Sequence, residues 1–328
     1  MTDGGAPVWS HAPVRVGLVG AGTWARTMHG PVLAAGPETT LTGVWARRPE
    51  AAAATAGALG TIAVDSFEQL LAGCEAVAFA VPPNVQAELA VRAAGAGRAL
   101  LLEKPLALEL EAARRLVAAV EDATVVSEVV FTKRFHPRVA RFLVECAQLS
   151  ASGPLWAMDA RYWHGGLLEG PFAHGWRLQH GALSDLGPHL IDLADAVLGP
   201  VTAVRAAGDP LAYVSLSCRH ANGALSQLSV SGSVRIPAAH TMLEVAGRAG
   251  RLSLDVATLD HSQCWPVLRR DFATAIRTGR PVLCGIDRGL RVAQVLESAR
   301  RSLLAGGDEV AVNPRAERRA GRPGRRPR

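Results

Sequence analysis

Lysine is rare in this chain, and both copies sit beside chemistry. Of 35 Lys and Arg residues only Lys104 and Lys133 are lysine, and Lys104 ends the apolar run ALLLEKP. Where guanidinium is the default cation, a compact ammonium suits a task such as meeting charge that develops on a reacting oxygen. A second group is Asp185, His189 and Asp192 in GALSDLGPHLIDL, four and three residues apart. On one helix the three share a face, while Leu186, Leu190, Leu193 and Val197 supply an apolar stripe. Pro188 is tolerated only in a first turn, so the regular helix is expected to begin near Ser184 or Asp185. An imidazole beside a carboxylate can take or return a proton near neutral pH. Taken singly, each has a plainer account: Lys104 salt-bridged to Glu103, Asp185 as a helix cap, His189 as a satisfied interior histidine.

A third group is the glycine turn. VRVGLVGAGTWARTMH contains Gly20, Gly22 and Ala25 as GxGxxA, with Thr23 and Trp24 inside it, between a strand-like run and a helix-like one. Such a turn lets backbone amides approach a pyrophosphate at a helix start, and a small third residue lets helix and strand pack closely. NAD(H) is usually held by an acid about 20 residues further on. Here that position reads LTGVWARRPE, with Arg47 and Arg48 where the acid would stand. Two guanidiniums suit a 2′-phosphate, so NADP(H) is the favoured cofactor and NAD(H) the alternative. Either arginine could instead simply face solvent.

These groups need a scaffold, and the hydrophobic pattern supplies one. VRVGLV, LTGVW, AVAFAV, ALLLE and TVVSEVV read as strands, alternating with helical stretches near 23–35, 49–58, 66–72, 84–96 and 108–121. That alternation predicts a parallel sheet covered by helices on both faces, with ligands beyond the carboxyl ends of its strands. After a helix near 137–148 the pattern changes to one-sided alternation in LWAMDARYW, YVSLSCRH, ALSQLSVSG and TMLEVAG, followed by helices near 266–277 and 287–304. The fold class is therefore α/β, a Rossmann parallel sheet plus an α+β domain with a mostly antiparallel open sheet. The expected organisation is a flexible start (1–13), a dinucleotide-binding domain (14–123), a substrate and oligomerisation domain (124–312) and a disordered basic tail (313–328).

With 328 residues, 49% hydrophobic, the chain can bury two cores. Its five cysteines are odd in number and widely spaced, which argues against a disulfide framework or a zinc site, so no metal is expected. The net charge of +6 is carried entirely by NPRAERRAGRPGRRPR, with seven arginines and one glutamate; the rest of the chain is balanced. That points away from a nucleic-acid protein, with a phosphate-binding arm as the alternative for the tail. No run approaches the length of a membrane span, and the first thirteen residues lack a basic start and an apolar stretch, so a cytoplasmic location is expected.

Taken together, the motifs resemble those of the glucose-fructose oxidoreductase, inositol dehydrogenase and rhizopine catabolism family, Gfo/Idh/MocA. The resemblance runs from about Val14 to Val312 and rests on GAGTWARTMH with Pro31, VPPN (81–84), EKP (103–105), TKRFHP (132–137), GWR (175–177) and GALSDLGPHLIDL. It implies hydride transfer between NAD(P) and a secondary alcohol or ketone on a sugar, polyol or related metabolite, in a homodimer or homotetramer. By the same resemblance, Pro82, Asn84, Glu103 and Lys104 face the cofactor and Lys104 binds the reacting oxygen. His189 is then the general acid/base, and Asp185 holds substrate or tunes His189. Gln86 departs from the histidine that many members have there, and Arg47 and Arg48 depart from the acid. Candidates for the substrate lining are Lys133, Arg134, Tyr162, Trp163, His164, Trp176 and Arg177, the aromatics being able to stack on a sugar ring. Two other readings stand: a glycosidase or lyase that oxidises transiently with tightly held NAD, and a dinucleotide-sensing regulator without catalysis.

Overall fold

The computed structural model describes residues 9–312, so the expected tail from Asn313 on, and most of the expected flexible start, lie outside the described residues. The chain divides into two compact units, one running to His136 and including His261–Leu290, the other comprising Pro137–Asp260 and the chain from Arg291.

The first unit is built on a five-stranded sheet of order β2-β1-β3-β4-β5, parallel at every pairing. Its strands are β1 (Val14–Val19), β2 (Thr39–Trp45), β3 (Ala76–Phe79), β4 (Ala99–Leu102) and β5 (Ser127–Val129). β3, β4 and β5 are buried along their whole length, which is why they read as unbroken apolar runs rather than alternating ones. The connections run through α1 (Gly30–Ala34), α2 (Pro49–Ala58), α3 (Phe67–Gly73), α4 (Pro83–Gly95) and α5 (Leu110–Ala123). A five-residue π-helical turn, Ala25–His29, leads into α1.

The structure moves the expected boundary at residue 123. β5 is needed as the neighbour of β4, and a later helix also belongs to this unit. That helix, counted along the chain, is α9 (Cys264–Thr278), following α6 (Pro137–Ala151), α7 (Trp176–Asp185) and α8 (Gly187–Leu198). Its Arg269 pairs with Glu38 at 2.7 Å and its Arg277 with Glu75 at 2.7 Å. Pairings separated by some 200 residues leave no local sequence signal, so periodicity alone assigned the helix by its position in the chain.

The second unit carries a seven-stranded sheet of order β11-β10-β6-β9-β8-β7-β12. Its strands are β6 (Leu155–Trp163), β7 (Val201–Asp209), β8 (Tyr213–His220), β9 (Leu225–Ser231), β10 (His240–Gly247), β11 (Gly250–Asp255) and β12 (Val310–Ala311). Only β6 and β9 pair in parallel. α8 packs on β6 and β9, so Met158, Ala160, Leu228 and Val230 are buried while Asp159, Arg161 and Gln227 face away. The chain ends in α10 (Ile286–Leu304) and β12. All five cysteines are buried and none is in a disulfide, and among the described residues no helix is long and apolar enough to cross a membrane.

Candidate active-site residues

In the first unit the candidate cofactor residues gather at the carboxyl ends of adjacent strands. Gly20, Gly22, Thr23, Trp24 and Ala25 follow β1, Arg47 and Arg48 follow β2, Pro82 and Asn84 follow β3, and Glu103 and Lys104 follow β4. Gly20 has φ +118°, and a Cβ there would run into the carbonyl oxygen of Ala80. The strand can leave the sheet at that point only as glycine. Gly22 is different: a Cβ there would meet nothing within 4 Å, so its backbone borders open space. Ala25 is fully buried, which explains the small third residue of the motif. A tight turn, an open backbone edge and a close-packed third residue are what a pyrophosphate cradle requires. Arg47 and Arg48 are both exposed, and Arg48 caps α2 in an extended conformation with no side-chain cap bond.

Lys104 is held by its neighbours rather than left on a surface loop. Glu103 Oε1 accepts from Trp24 Nε1 and pairs with His29 Nε2, both at 2.7 Å, while Oε2 accepts the Lys104 backbone N–H at 3.2 Å. Burial acts to raise the Glu103 pKa, but the His29 bond and the nearby charges outweigh it and hold the carboxyl below its ordinary value. Gln86, fully buried on α4, clamps the same residue from another side: Glu103 N–H donates to its Oε1 and its Nε2 donates to the Glu103 carbonyl, each at 2.8 Å. Its Nε2 also reaches the Leu106 carbonyl at 3.2 Å. The Glu103 carboxylate pairing with His29 and Trp24, not with the ammonium alone, is a contact that sequence separation of more than seventy residues concealed.

Lys133 and Arg134 lie in a 3-10 turn, Thr132–Phe135, directly after β5, and both are buried. Burial pulls the Lys133 ammonium down to about 8; Cys264 opposes that shift and the Lys104 charge adds to it. The two lysines of the chain thus stand at the ends of neighbouring strands, near enough for one charge to be felt by the other.

In the second unit the expected single helix is two. Asp185 ends α7 and His189 lies in the first turn of α8, with Leu186 between them in a right-handed helical conformation (φ −99°, ψ −33°); the non-helical residue is Gly181 inside α7, at φ 64°, ψ −166°. Helical backbone thus resumes after Gly181, close to the expected start near Ser184 or Asp185, and α8 runs from Gly187 with Pro188 in its first turn, where the missing N–H costs nothing. Asp185, His189 and Asp192 are all buried. Arg177 Nε lies 3.3 Å from Asp185 Oδ2, and its guanidinium stacks over the rings of Trp176 and Phe172 at 4.8 and 5.1 Å. Phe172 went unnoticed in the sequence because nothing in its spacing marks it.

Strand alternation sorts the remaining aromatics. Tyr162 turns toward α8, its ring 6.1 Å from His189 and 5.4 Å from His164. Burial, and then the Asp185 charge, push its hydroxyl well above the usual range, so it stays a neutral phenol. Trp163 turns the other way, with Arg161. Its ring lies 5.4 Å from His240 and 6.2 Å from Tyr213, and Nε1 donates to Ser229 Oγ at 3.1 Å. Trp163, a candidate for the substrate lining, thus stands on the opposite face of β6 from Tyr162, because adjacent strand residues face opposite sides. His164 Nδ1 accepts the Gly166 N–H at 2.8 Å, a local turn contact. Among the described residues no group of three His, Cys, Asp or Glu side chains is placed to hold a metal.

A parallel sheet with a glycine turn after β1, followed by a second, mixed-sheet unit, defines the class of two-unit dinucleotide-binding oxidoreductase folds. The chain belongs to the Gfo/Idh/MocA family: residues 14–131 match the family model described as oxidoreductase family, NAD-binding Rossmann fold, and residues 145–253 match that of the GFO/IDH/MocA C-terminal domain. Levoglucosan dehydrogenase of Pseudarthrobacter phenanthrenivorans is 33% identical over 135 residues, covering 40% of this chain and 34% of the relative. A dTDP-3,4-didehydro-2,6-dideoxy-alpha-D-glucose 3-reductase of Streptomyces violaceoruber is 32% identical over 198 residues, covering 59% of this chain and 57% of the relative. Both matches thus span less than two thirds of the relative's own length. Among solved structures, GenD2 from gentamicin A biosynthesis, in complex with NAD, has a TM-score of 0.83 at 25% identity, covering 94% of this chain and 99% of that one. A levoglucosan dehydrogenase in complex with NADH shares the fold, with a TM-score of 0.81 at 22% identity over 92% of this chain and 99% of that one.

Proposed function

We propose that this chain is an NADP(H)-dependent oxidoreductase that interconverts a secondary alcohol and a ketone on a sugar, polyol or related metabolite by hydride transfer. The observation that carries the reading is the row of candidate residues at the carboxyl ends of β2, β1, β3 and β4, with an open glycine edge at Gly22 and Lys104 beside a partly buried, ionised Glu103. The nicotinamide, when bound, supplies or accepts the hydride. Lys104 then binds the reacting oxygen and stabilises charge that builds there, while His189 takes up the alcohol proton in oxidation and returns it in reduction. Asp185, charge-paired with Arg177, orients the polar end of the substrate or tunes His189. Lys133, Arg134, Tyr162, Trp163, Trp176 and Arg177 are the substrate-lining candidates. A homodimer or homotetramer accompanies this reading.

NADP(H) rests on Arg47 and Arg48, which are exposed at the end of β2 where an acid would receive a free ribose 2′-hydroxyl. The alternative, NAD(H), is supported by the two solved structures holding NAD or NADH. Titration of the protein with NADPH and NADH, followed by tryptophan fluorescence, separates them. Tighter NADPH binding is expected, and equal or tighter NADH binding refutes the preference without touching the oxidoreductase reading. Lys104→Ala and His189→Ala are each expected to lower kcat/KM by about a hundredfold or more on the true substrate. Unchanged turnover in both would sink the assignment, and failure to bind either dinucleotide would favour neither the enzyme nor the regulator.

A further inference from the structure

Trp24 occupies the middle of the GxGxxA turn, where a residue of any size would satisfy the turn itself. Its indole is committed elsewhere. Nε1 donates to Glu103 Oε1 at 2.7 Å, and its ring meets Trp265, the second residue of α9, edge to face at 6.2 Å. The acceptor is the residue before Lys104, whose own backbone N–H closes on the other oxygen of the same carboxylate. His29, on the π-helical turn that follows Trp24, grips Oε1 as well and is itself buried. Two side chains of the glycine-turn segment therefore converge on one carboxylate oxygen.

Those bonds tie the Lys104 segment to the glycine turn. The main chain of Glu103 is fixed from the other side by Gln86, through one bond in each direction. Gln86 belongs to α4. The Trp24 and His29 bonds are a direct side-chain link between the turn and the lysine segment. An ionised, desolvated carboxylate accepting from two such donors is a stiff joint, since each charge-assisted bond is stronger than a neutral one.

We propose that Trp24 is a positioning residue that couples the glycine turn to Lys104 through the Glu103 carboxylate, so that the pose of the lysine depends on the state of the turn. The inference rests on the reading of Lys104 as the oxygen-binding lysine and deepens it. It assigns the bulky turn residue a role that a pyrophosphate cradle does not require. Trp24 itself need touch neither the substrate nor the nicotinamide.

The chain's scarcity of lysine makes the test clean. Brief acetylation of the intact protein, digestion and mass spectrometry report Lys104 and Lys133 separately, with the buried Lys133 as an internal reference. Trp24→Phe keeps the aromatic contact with Trp265 and deletes the N–H donor. The expected result is a rise of about threefold or more in Lys104 acetylation with Lys133 unchanged, and a fall of about tenfold in kcat. Glu103→Gln, which keeps the shape and an acceptor oxygen but removes the charge, is expected to fall between wild type and Trp24→Phe, and serves if Trp24→Phe does not fold. Lys104 acetylation within about twofold of wild type in the folded variant overturns the proposal, as does an equal rise at both lysines, which reports general loosening. The labelling needs no turnover. If the wild-type chain reduced no ketone and oxidised no alcohol, the proposed function would fall while the Trp24 coupling was still decided.

Discussion

Arg269 Nε stands 2.7 Å from Glu38 Oε2, and both side chains are buried. A second guanidinium, Arg270, reaches the other oxygen at 3.0 Å, and Arg269 Nη1 also donates to the Val32 carbonyl. Burial works to raise the Glu38 pKa, yet the two arginines hold it below its ordinary value. This junction fastens α9 beside the entry to β2, far from its sequence neighbours. Glu38→Ala leaves Arg269 buried without its partner, and is expected to cost about 3 to 5 kcal/mol in urea unfolding. A loss under about 1 kcal/mol would show that the helix is held by its apolar face alone.

The two glycines of the turn separate folding from binding. Gly20→Ala forces a side chain into a left-handed backbone against the Ala80 carbonyl, so it is expected to destabilise by about 1 to 3 kcal/mol. Gly22→Ala meets open space, so its melting temperature stays near that of wild type while the dinucleotide Kd rises by about tenfold. Calorimetry and a fluorescence titration read both. An unchanged Kd in Gly22→Ala would place the pyrophosphate elsewhere.

Glu75 governs the acid side of the stability curve. Its bond to Arg277 is the largest influence and, against some burial, holds its pKa down to about 2, with Arg15 contributing. The folded pKa lies below the ordinary 4.5, so the folded state binds fewer protons. The stabilisation is full above about pH 4.5 and is lost as pH falls toward about 2. Glu75→Gln is expected to be less stable than wild type at pH 7 by about 1 kcal/mol, the group being partly exposed, and to show a flatter melting profile between those values. A wild-type profile no steeper than the variant's would contradict this.

Lys133 works in the opposite sense. Its folded pKa of about 8 lies below the ordinary 10.5, so between those values the unfolded chain binds more protons. Stability from this group therefore rises with pH across that window, and the buried ammonium is a cost at neutral pH. Lys133→Met is expected to melt higher than wild type at pH 7, with the gap closing toward pH 10, and to lose activity if Lys133 lines the substrate site. A lower melting temperature at pH 7 would show that contacts of the ammonium outweigh its desolvation.

How far the sequence reached can be read from particular residues. The alternation of buried runs and helices predicted the parallel sheet because β3, β4 and β5 are covered on both faces, a property written into contiguous residues. Gly20, Gly22 and Ala25 were legible for the same reason, since turn chemistry is local. Lys104 stood out by composition, and its position beyond β4 followed from the parallel order of the sheet. Tertiary structure decided the rest. The break in the helix lies at Gly181, with φ 64° and ψ −166°, ahead of Asp185 and His189, and the apolar pattern around those two residues does not mark it. The face taken by Trp163 depends on the register of β6 against β9 and β10. Glu103 meets Trp24 and His29, and Glu38 meets Arg269, across separations that no window of sequence spans. Long-range polar contacts are chosen by which surfaces the packed chain brings together, and one chain can specify them only once its elements have already found their places.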